Sequence, residues 1–269
     1  MTNPGARARL LCFPCAGAGT MMYRPWQRLL PDDLELCLVQ PPGREDRAGE
    51  PPLTRATEVV DGLLPEVCEL LDLPMLFFGH SMGALLAHTL TLRLREEGRG
   101  GPRHLFVSGR PAPQVGHRGP VRHQLSDPGL TKVLRELGGM PEEAFAVPEL
   151  MEWMLPLVRA DFAVSETHRP AAPGPPLDLP VTALGGLNDP LVPTDDLYAW
   201  RESTNDPFAA YLFEGGHFYL HDAAEQVVRI ILAEHESIGA LATGRPGMST
   251  GCPSETTAAP NRTGIGSAP

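Results

Sequence analysis

Short runs of apolar residues alternate along the chain with longer stretches in which apolar residues recur every three or four positions. Six runs have the length and composition of β-strands: 9–14, 34–40, 75–79, 104–109, 180–186 and 208–215. Helical spacing falls between them, over 21–30, 54–71, 83–97, 193–203 and 218–236. Strands that alternate with helices predict an α/β fold with a mostly parallel sheet flanked by helices. Runs such as LLCF and MLFF are apolar at every position, as expected for strands buried on both faces.

Two segments fall outside this alternation. The interval between the fourth and fifth strands is too long for a structureless loop, and it carries helical patterns at 128–137, 141–146 and 149–167. Pro156 predicts a kink in the last of these. We interpret 112–178 as a helical lid inserted into a core formed by 1–111 and 179–239, with a separate helical domain as the alternative. The tail 240–269 has no aromatic residue and is rich in Gly, Ala, Ser, Thr and Pro, so we expect it to be disordered.

The charge and the cysteines limit the partners and the compartment. The 269 residues carry a formal net charge of −11, which disfavours general nucleic-acid binding because phosphate contacts need a basic face. No apolar stretch approaches membrane-spanning length, and the N-terminal apolar run reaches Pro14 too early for a secretory signal. Five scattered cysteines are typical of reduced thiols, so we expect a cytoplasmic protein. Cys12 and Cys15 form a C-x-x-C pair, but nothing completes a zinc or redox motif and we expect no metal there.

A short motif links the strand at 75–79 to the helical pattern that follows it. Gly79, Ser81 and Gly83 have the G-x-S-x-G spacing, in which small residues let a strand turn sharply into a helix. Such a turn exposes the serine hydroxyl above the sheet, where it serves as a nucleophile. A chance Gly-Ser turn is the alternative.

A serine nucleophile needs a base, and the base needs an acid that orients it. Asp189 follows the strand at 180–186, and His217 follows the last strand in a glycine-rich turn. The order Ser, Asp, His, each after a strand, is that of the α/β-hydrolase fold. We therefore predict that fold, with Ser81, Asp189 and His217 as a catalytic triad.

The other acids and histidines fit these roles less well. Asp195 and Asp196 are expected in the first turn of a helix, where carboxylates are favourable. Four histidines are expected to lie further down a helix, to project away from the nucleophile, or to be structural or lid residues: His221, His80, His88 and His168.

An acyl-transfer enzyme also needs donors for the oxyanion. The residue after the nucleophile supplies one backbone N–H, here Met82, and the loop after an early strand supplies the other. That loop is FPCAGAGT, residues 13–20. We assign Ala16 as the second donor, with Cys15 as the alternative.

Several segments together resemble the type II thioesterases that accompany polyketide and non-ribosomal peptide synthases. They are LLCFPCAGAG, LVQPPGREDR, FFGHSMGALLAH and PLVRADFAVSE, followed by the Asp189 segment and GGHFYL, and the match runs from about Arg9 to Ile238. GHSMG occurs in many hydrolases, whereas its combination with PPGRxDR and RADF is much more specific. His168, where the resemblance predicts tyrosine, and Cys15 depart from the pattern.

The resemblance implies hydrolysis of acyl groups from the phosphopantetheine arm of carrier proteins, which restarts stalled or misprimed synthases. It implies that Ser81 attacks the thioester, that His217 takes the proton, and that water hydrolyses the acyl-serine intermediate. It implies no metal or redox cofactor. The expected partners are acyl or peptidyl carrier proteins of a biosynthetic synthase, and we expect a monomer.

Two hypotheses concern the substrate. Four lid side chains are expected to line an apolar acyl channel, with simple packing as the alternative: Met151, Met154, Leu155 and Phe162. A group of arginines is expected to guide an acidic carrier protein, with an ordinary solvated face as the alternative: Arg93, Arg95, Arg99, Arg103, Arg110, Arg118 and Arg122.

Three other functions fit the same residues. A carboxylesterase would use the same triad on small oxygen esters, and a chain-releasing thioesterase of fatty acid synthesis would share fold, lid and partner. A non-catalytic scaffold that binds acyl carriers fits least, because the triad is complete.

Overall fold

The computed structural model describes residues 3–116, 119–169 and 174–242. Its strands are β1 (Ala8–Phe13), β2 (Leu34–Leu38), β3 (Met75–His80), β4 (His104–Ser108), β5 (Val181–Gly186) and β6 (Phe208–Phe213). Its α-helices are α1 (Ala56–Glu69), α2 (Met82–Glu96), α3 (Asp127–Leu137), α4 (Pro148–Thr167), α5 (Thr194–Tyr198) and α6 (Leu220–Ala242). The six predicted strands are confirmed, as are the main helices between them.

Three stretches with helical spacing form 3₁₀ turns in part or throughout. The stretch 21–30 forms two such turns, Thr20–Met22 and Arg24–Arg28, rather than an α-helix. Pro25 contributes to this because it lacks the N–H donor that a continuous α-helix would need at that position. Predicted helices at 141–146 and in the second half of 193–203 are likewise 3₁₀ turns, Glu142–Ala146 and Ala199–Ser203.

The strand order opens a crevice at the carboxyl ends of β1 and β3. The strand order is β2-β1-β3-β4-β5-β6, and every pair of neighbours is parallel. The connection after β1 runs to β2 on one side, and the connection after β3 runs to β4 on the other, so the two leave in opposite directions and open a crevice between β1 and β3. Ligands of open parallel sheets bind in such a crevice.

Alternate side chains of the strands supply two apolar layers. Leu11 and Phe13 of β1 pack on the side of α1 and α2, whereas Leu10 and Cys12 pack on the side of α6. The uninterrupted apolar runs thus follow from burial on both faces.

Helices α3 and α4 occupy the interval between β4 and β5. They surround a separate apolar cluster: Leu130, Met151, Met154, Leu155 and Val158. Pro156 lies inside α4 and does not end it. None of the helices in the described ranges is long and apolar enough to cross a membrane. Helix α6 continues to Ala242, and the rest of the tail predicted to be disordered, 243–269, lies outside the described residues.

Candidate active site

Ser81 stands on a strained turn between β3 and α2. Its backbone φ is +56°, in a region that residues other than glycine rarely adopt. A Cβ atom on Gly79 would lie 2.2 Å from the carbonyl oxygen of Gly83, and one on Gly83 would lie 2.0 Å from that of Phe13. The two glycines are therefore required because backbone packs directly on backbone. The Ser81 N–H donates to the carbonyl of Ser108 at 2.7 Å, which ties the turn to the end of β4.

Asp189 and His217 lie together at the ends of β5 and β6. His217 Nδ1 is 2.8 Å from Asp189 Oδ2, and Asp189 Oδ1 accepts from the Leu191 N–H at 2.8 Å. The side chains of His217 and Asp189 are 3% and 0% exposed. A further hydrogen bond, from the Asn188 N–H to the Gly215 carbonyl at 2.9 Å, joins the two loops. This arrangement orients the imidazole and leaves Nε2 as its basic nitrogen.

Ser81, His217 and Ala16 line one cavity of about 770 Å³, a size within the usual range for small-molecule sites. In the described part of the chain no hydrogen bond joins the Ser81 hydroxyl to His217. Catalytic hydrogen bonds are often long in ligand-free structures and tighten when substrate binds. The cavity thus holds the nucleophile and the base that the sequence predicts, and their catalytic roles stay predictions.

Of the two candidate oxyanion donors, Met82 directly follows Ser81 and Ala16 lines the cavity. Met82 is the first residue of α2, so its N–H has no acceptor within the helix. In the loop after β1, the Gly17 and Ala18 N–H groups are already bonded, to Asp161 Oδ2 at 2.7 Å and to the Cys15 carbonyl at 3.1 Å. Ala16 lines the cavity, whereas Cys15 is not among the lining residues. This favours Ala16 over Cys15 as the second donor.

The C-x-x-C pair is buried within the fold. Cys12 and Cys15 are free thiols, and burial raises the pKa of Cys15 to about 12 and that of Cys12 well above its ordinary value. Little reactive thiolate therefore forms at neutral pH. Among the described residues, no three His, Cys, Asp or Glu side chains are grouped so as to hold a metal ion.

Two histidines that the sequence leaves without a catalytic role form part of the cavity wall. His88 on α2 packs edge-on against Trp200, and burial lowers its pKa to about 3. His168 follows α4, and burial together with the nearby Arg110 and Arg169 lowers its pKa. Burial also lowers the pKa of Arg110 to about 10. The sequence spacing could have identified His88, because Leu85, His88 and Leu92 share the face of α2 that lines the cavity with Ser81.

His80 supports the base from below. Its ring lies 5.0 Å from that of His217, and its Nδ1 is 2.8 Å from Ser108 Oγ. Ser108 Oγ in turn lies 2.6 Å from the Tyr219 hydroxyl. Burial, with the neighbouring His217 and His221, lowers the pKa of His80 well below its ordinary value, so a neutral ring packs against the base.

The four predicted lid-pocket residues divide into two groups. Phe162 lines the cavity. Met151, Met154 and Leu155 pack into the cluster between α3 and α4 and do not line the cavity. Asp195 and Asp196 lie in the first turn of α5, as expected from the sequence, and Asp196 also borders the cavity. His221 stacks on Phe218.

Comparison with known proteins gives a consistent result. The thioesterase domain profile matches residues 8–234. The gramicidin S biosynthesis protein GrsT of Aneurinibacillus migulanus is 38% identical over 229 residues, covering 85% of this chain and 89% of GrsT. The human medium-chain S-acyl fatty acid synthase thioesterase is 32% identical over 228 residues, covering 83% of this chain and 85% of that enzyme.

A solved structure agrees with these relatives. The type II thioesterase BorB from the borrelidin biosynthetic cluster superposes with a TM-score of 0.79 at 40% identity, covering 86% of this chain and 93% of BorB. The fold is the α/β-hydrolase fold of the thioesterases, and the strained Ser81 turn lies between β3 and α2, where that fold places its nucleophile. The chain therefore belongs to the thioesterase family and is a hydrolase.

Proposed function

We propose that the protein hydrolyses acyl thioesters from the phosphopantetheine arm of carrier proteins and thereby clears stalled or misprimed chains from a polyketide or non-ribosomal peptide synthase. The observation that carries this proposal is that His217, paired with the buried carboxylate of Asp189, lines one cavity with Ser81. The similarity to GrsT, a gramicidin S biosynthesis protein, and to BorB, a type II thioesterase from the borrelidin biosynthetic cluster, supports the choice of substrate.

The chemistry follows from the positions of the side chains. The Ser81 hydroxyl attacks the thioester carbonyl while His217 Nε2 takes its proton, and Asp189 stabilises the imidazolium that forms. The N–H groups of Ala16 and Met82 stabilise the oxyanion. The carbon–sulfur bond then breaks and the thiol leaves, with His217 returning the proton. Water, activated by His217, hydrolyses the acyl-serine ester in a second tetrahedral step, so no metal or redox cofactor takes part.

The cavity offers a place for the acyl chain. Its floor is the α2 face that carries Leu85 and Leu92, and Phe162 and Trp200 add aromatic walls. Helices α3 and α4 belong to the segment that we propose as a lid, 112–178. An apolar chain covered by this lid would be shielded from water except at the reacting carbonyl.

The proposed docking face is less basic than the sequence indicates. Arg93 pairs with Asp61 and Glu97, and Arg122 lies 3.5 Å from Glu166. Arg95 and Arg110 instead donate to uncharged oxygens and line the cavity, so they are the better candidates to meet an acidic carrier. Arg118 lies outside the described residues. We further propose that the protein is a cytoplasmic monomer.

The test is hydrolysis of a panel of acyl-carrier proteins, alongside matched acyl-pantetheine thioesters and oxygen esters. Turnover of short acyl-carrier thioesters, with no sharp preference among them, is the result expected of an editing enzyme. Cleavage of oxygen esters alone, with the carriers left intact, would refute the proposal and identify a carboxylesterase.

A second candidate is a chain-releasing thioesterase. It is favoured by the similarity to the human medium-chain fatty acid synthase thioesterase. The same panel separates the two, because a releasing enzyme would prefer one longer acyl chain strongly over acetyl or propionyl groups.

Substitution of Phe162 is expected to change the preferred chain length. Phe162→Ala removes an aromatic wall of the cavity and should shift the optimum towards longer chains, measured as kcat/KM across an acyl series. Met154→Ala is the matched control, because Met154 is buried in the cluster between α3 and α4. We expect it to lower the free energy of unfolding by about 2 kcal/mol without a shift in chain length. A shift caused by Met154→Ala alone would contradict this assignment of the cavity wall.

A further inference from the structure

The loop that carries Ala16 is held from outside by a buried ion pair. Arg44 comes from the loop after β2, and Asp161 comes from the second half of α4. Arg44 Nη2 donates to Asp161 Oδ1 at 2.8 Å, and Arg44 Nη1 donates to Asp161 Oδ2 at 2.8 Å. Both side chains are 3% exposed. This fork geometry fixes the two side chains against each other more rigidly than a single contact.

The pair also bonds the backbone directly after Ala16. Asp161 Oδ2 accepts from the Gly17 N–H at 2.7 Å, and Arg44 Nη1 donates to the Ala18 carbonyl at 2.7 Å. Gly17 has a φ of +76°, and a Cβ atom there would lie 2.8 Å from a methyl group of Val158 on α4. The peptide that joins Ala16 to Gly17 is thereby fixed by groups outside the loop.

The residue after Arg44 fixes the far end of the same loop. Glu45 accepts from the Thr20 hydroxyl at 2.5 Å and from the Met21 N–H at 3.2 Å. Its backbone φ is +47°, an uncommon conformation for a glutamate. Two consecutive residues of the loop after β2 therefore hold both ends of the loop that carries Ala16.

Stability alone is a weak reason for such a pair. Removing two charges from water is costly, and apolar replacements of a buried ion pair are often neutral or stabilising. The bonds to Gly17 and Ala18 supply a different reason, because an oxyanion donor must point at the place where charge develops.

We propose that Arg44 and Asp161 are positioning residues that set the direction of the Ala16 N–H, so that the oxyanion site is complete only when α4 is docked. The PPGR and RADF segments thus meet in one ion pair, in which PPGR supplies the guanidinium of Arg44 and RADF supplies the carboxylate of Asp161. The inference rests on the proposed function, in which Ala16 is an oxyanion donor.

The test compares two double variants. Arg44→Met/Asp161→Leu removes both charges together, so no uncompensated charge stays buried. The matched control is Arg9→Met/Glu35→Leu, which removes a buried pair with a 2.8 Å contact at the opposite end of the strands. Thermal melts establish that each variant is folded before kinetics are measured.

Two rates are measured for each protein. The first is kcat and KM for an acyl-pantetheine thioester, and the second is the rate at which a fluorophosphonate probe modifies Ser81. We expect Arg44→Met/Asp161→Leu to lower kcat and the probe rate about 10²-fold, as for loss of one oxyanion donor, with little change in KM. The control should stay within about twofold of the wild type. Equal rates in the two folded double variants would overturn the proposal.

A milder variant decides the question if the double variant does not fold. Arg44→Lys keeps the positive charge but loses the fork that reaches Asp161 and Ala18 together. We expect it to lower kcat and the probe rate in parallel, with KM nearly unchanged, and wild-type rates would overturn the proposal. A wild type that reacts with the probe but cleaves no thioester would refute the proposed function alone, and the probe rates would still decide the inference. A wild type inert to both would overturn both.

Discussion

Replacing Ser81 with alanine is expected to lower kcat for acyl-carrier thioesters by about 10⁴-fold or more, the scale of loss when a serine-triad nucleophile is removed. The reason is that no acyl-serine intermediate forms without the hydroxyl. Thiol release from an acyl-carrier substrate measures the loss. Ser203→Ala, in the 3₁₀ turn after α5, is the control and should retain wild-type turnover.

The same position allows a check on backbone strain. Ser81→Gly should be inactive too, yet more stable than Ser81→Ala by about 1 kcal/mol, because glycine adopts positive φ at little cost. Denaturant unfolding of the two variants measures the difference. Substantial turnover by either variant would place the nucleophile elsewhere, and equal stabilities would mean that the turn is unstrained.

Substitution of Gly83 with alanine is expected to destabilise the protein by at least about 3 kcal/mol, since overpacking costs most where backbone cannot move. The added Cβ would lie 2.0 Å from the Phe13 carbonyl oxygen and 2.8 Å from that of Pro14. It would therefore push α2 away from the end of β1, which precedes the loop that carries Ala16. Chemical denaturation and turnover should both record the loss.

Gly62 provides the matched control for this substitution. It lies in the interior of α1, is exposed, and has no atom within 4 Å of the place where a Cβ would be added. Gly62→Ala should therefore raise the free energy of unfolding by up to about 1 kcal/mol through helix propensity alone. Similar effects at Gly62 and Gly83 would show that the close approach at Gly83 carries no energetic weight.

The contact between Asp189 and His217 is predictable because the parallel topology fixes where the loops after successive strands lie. Each residue follows a strand, and parallel strands end at one edge of the sheet, so the two loops meet there. The buried strands could also be predicted from the sequence, because strands with apolar residues at every position must be covered on both faces.

Other features have no local signal in one sequence. Arg44 and Asp161 are 117 positions apart, and no sequence pattern around either residue indicates that the two form a pair. Helix α4 carries apolar residues on more than one face, so spacing alone did not separate Phe162 from Met151, Met154 and Leu155. The arginines were counted along the chain, whereas Asp61 and Glu166, which oppose two of them, come from other helices.

The apolar cluster between α3 and α4 has a consequence for how this enzyme diversifies. Leu130, Met151, Met154, Leu155 and Val158 pack mainly with one another, apart from the two layers that hold the strands. None of these five side chains lines the cavity, so changes there alter how firmly α3 and α4 pack together while the strands keep the Ser81 turn and the Asp189–His217 pair in register. Evolution and protein engineers can therefore tune the stability of these helices separately from the residues that line the cavity, provided that α4 retains the carboxylate of Asp161.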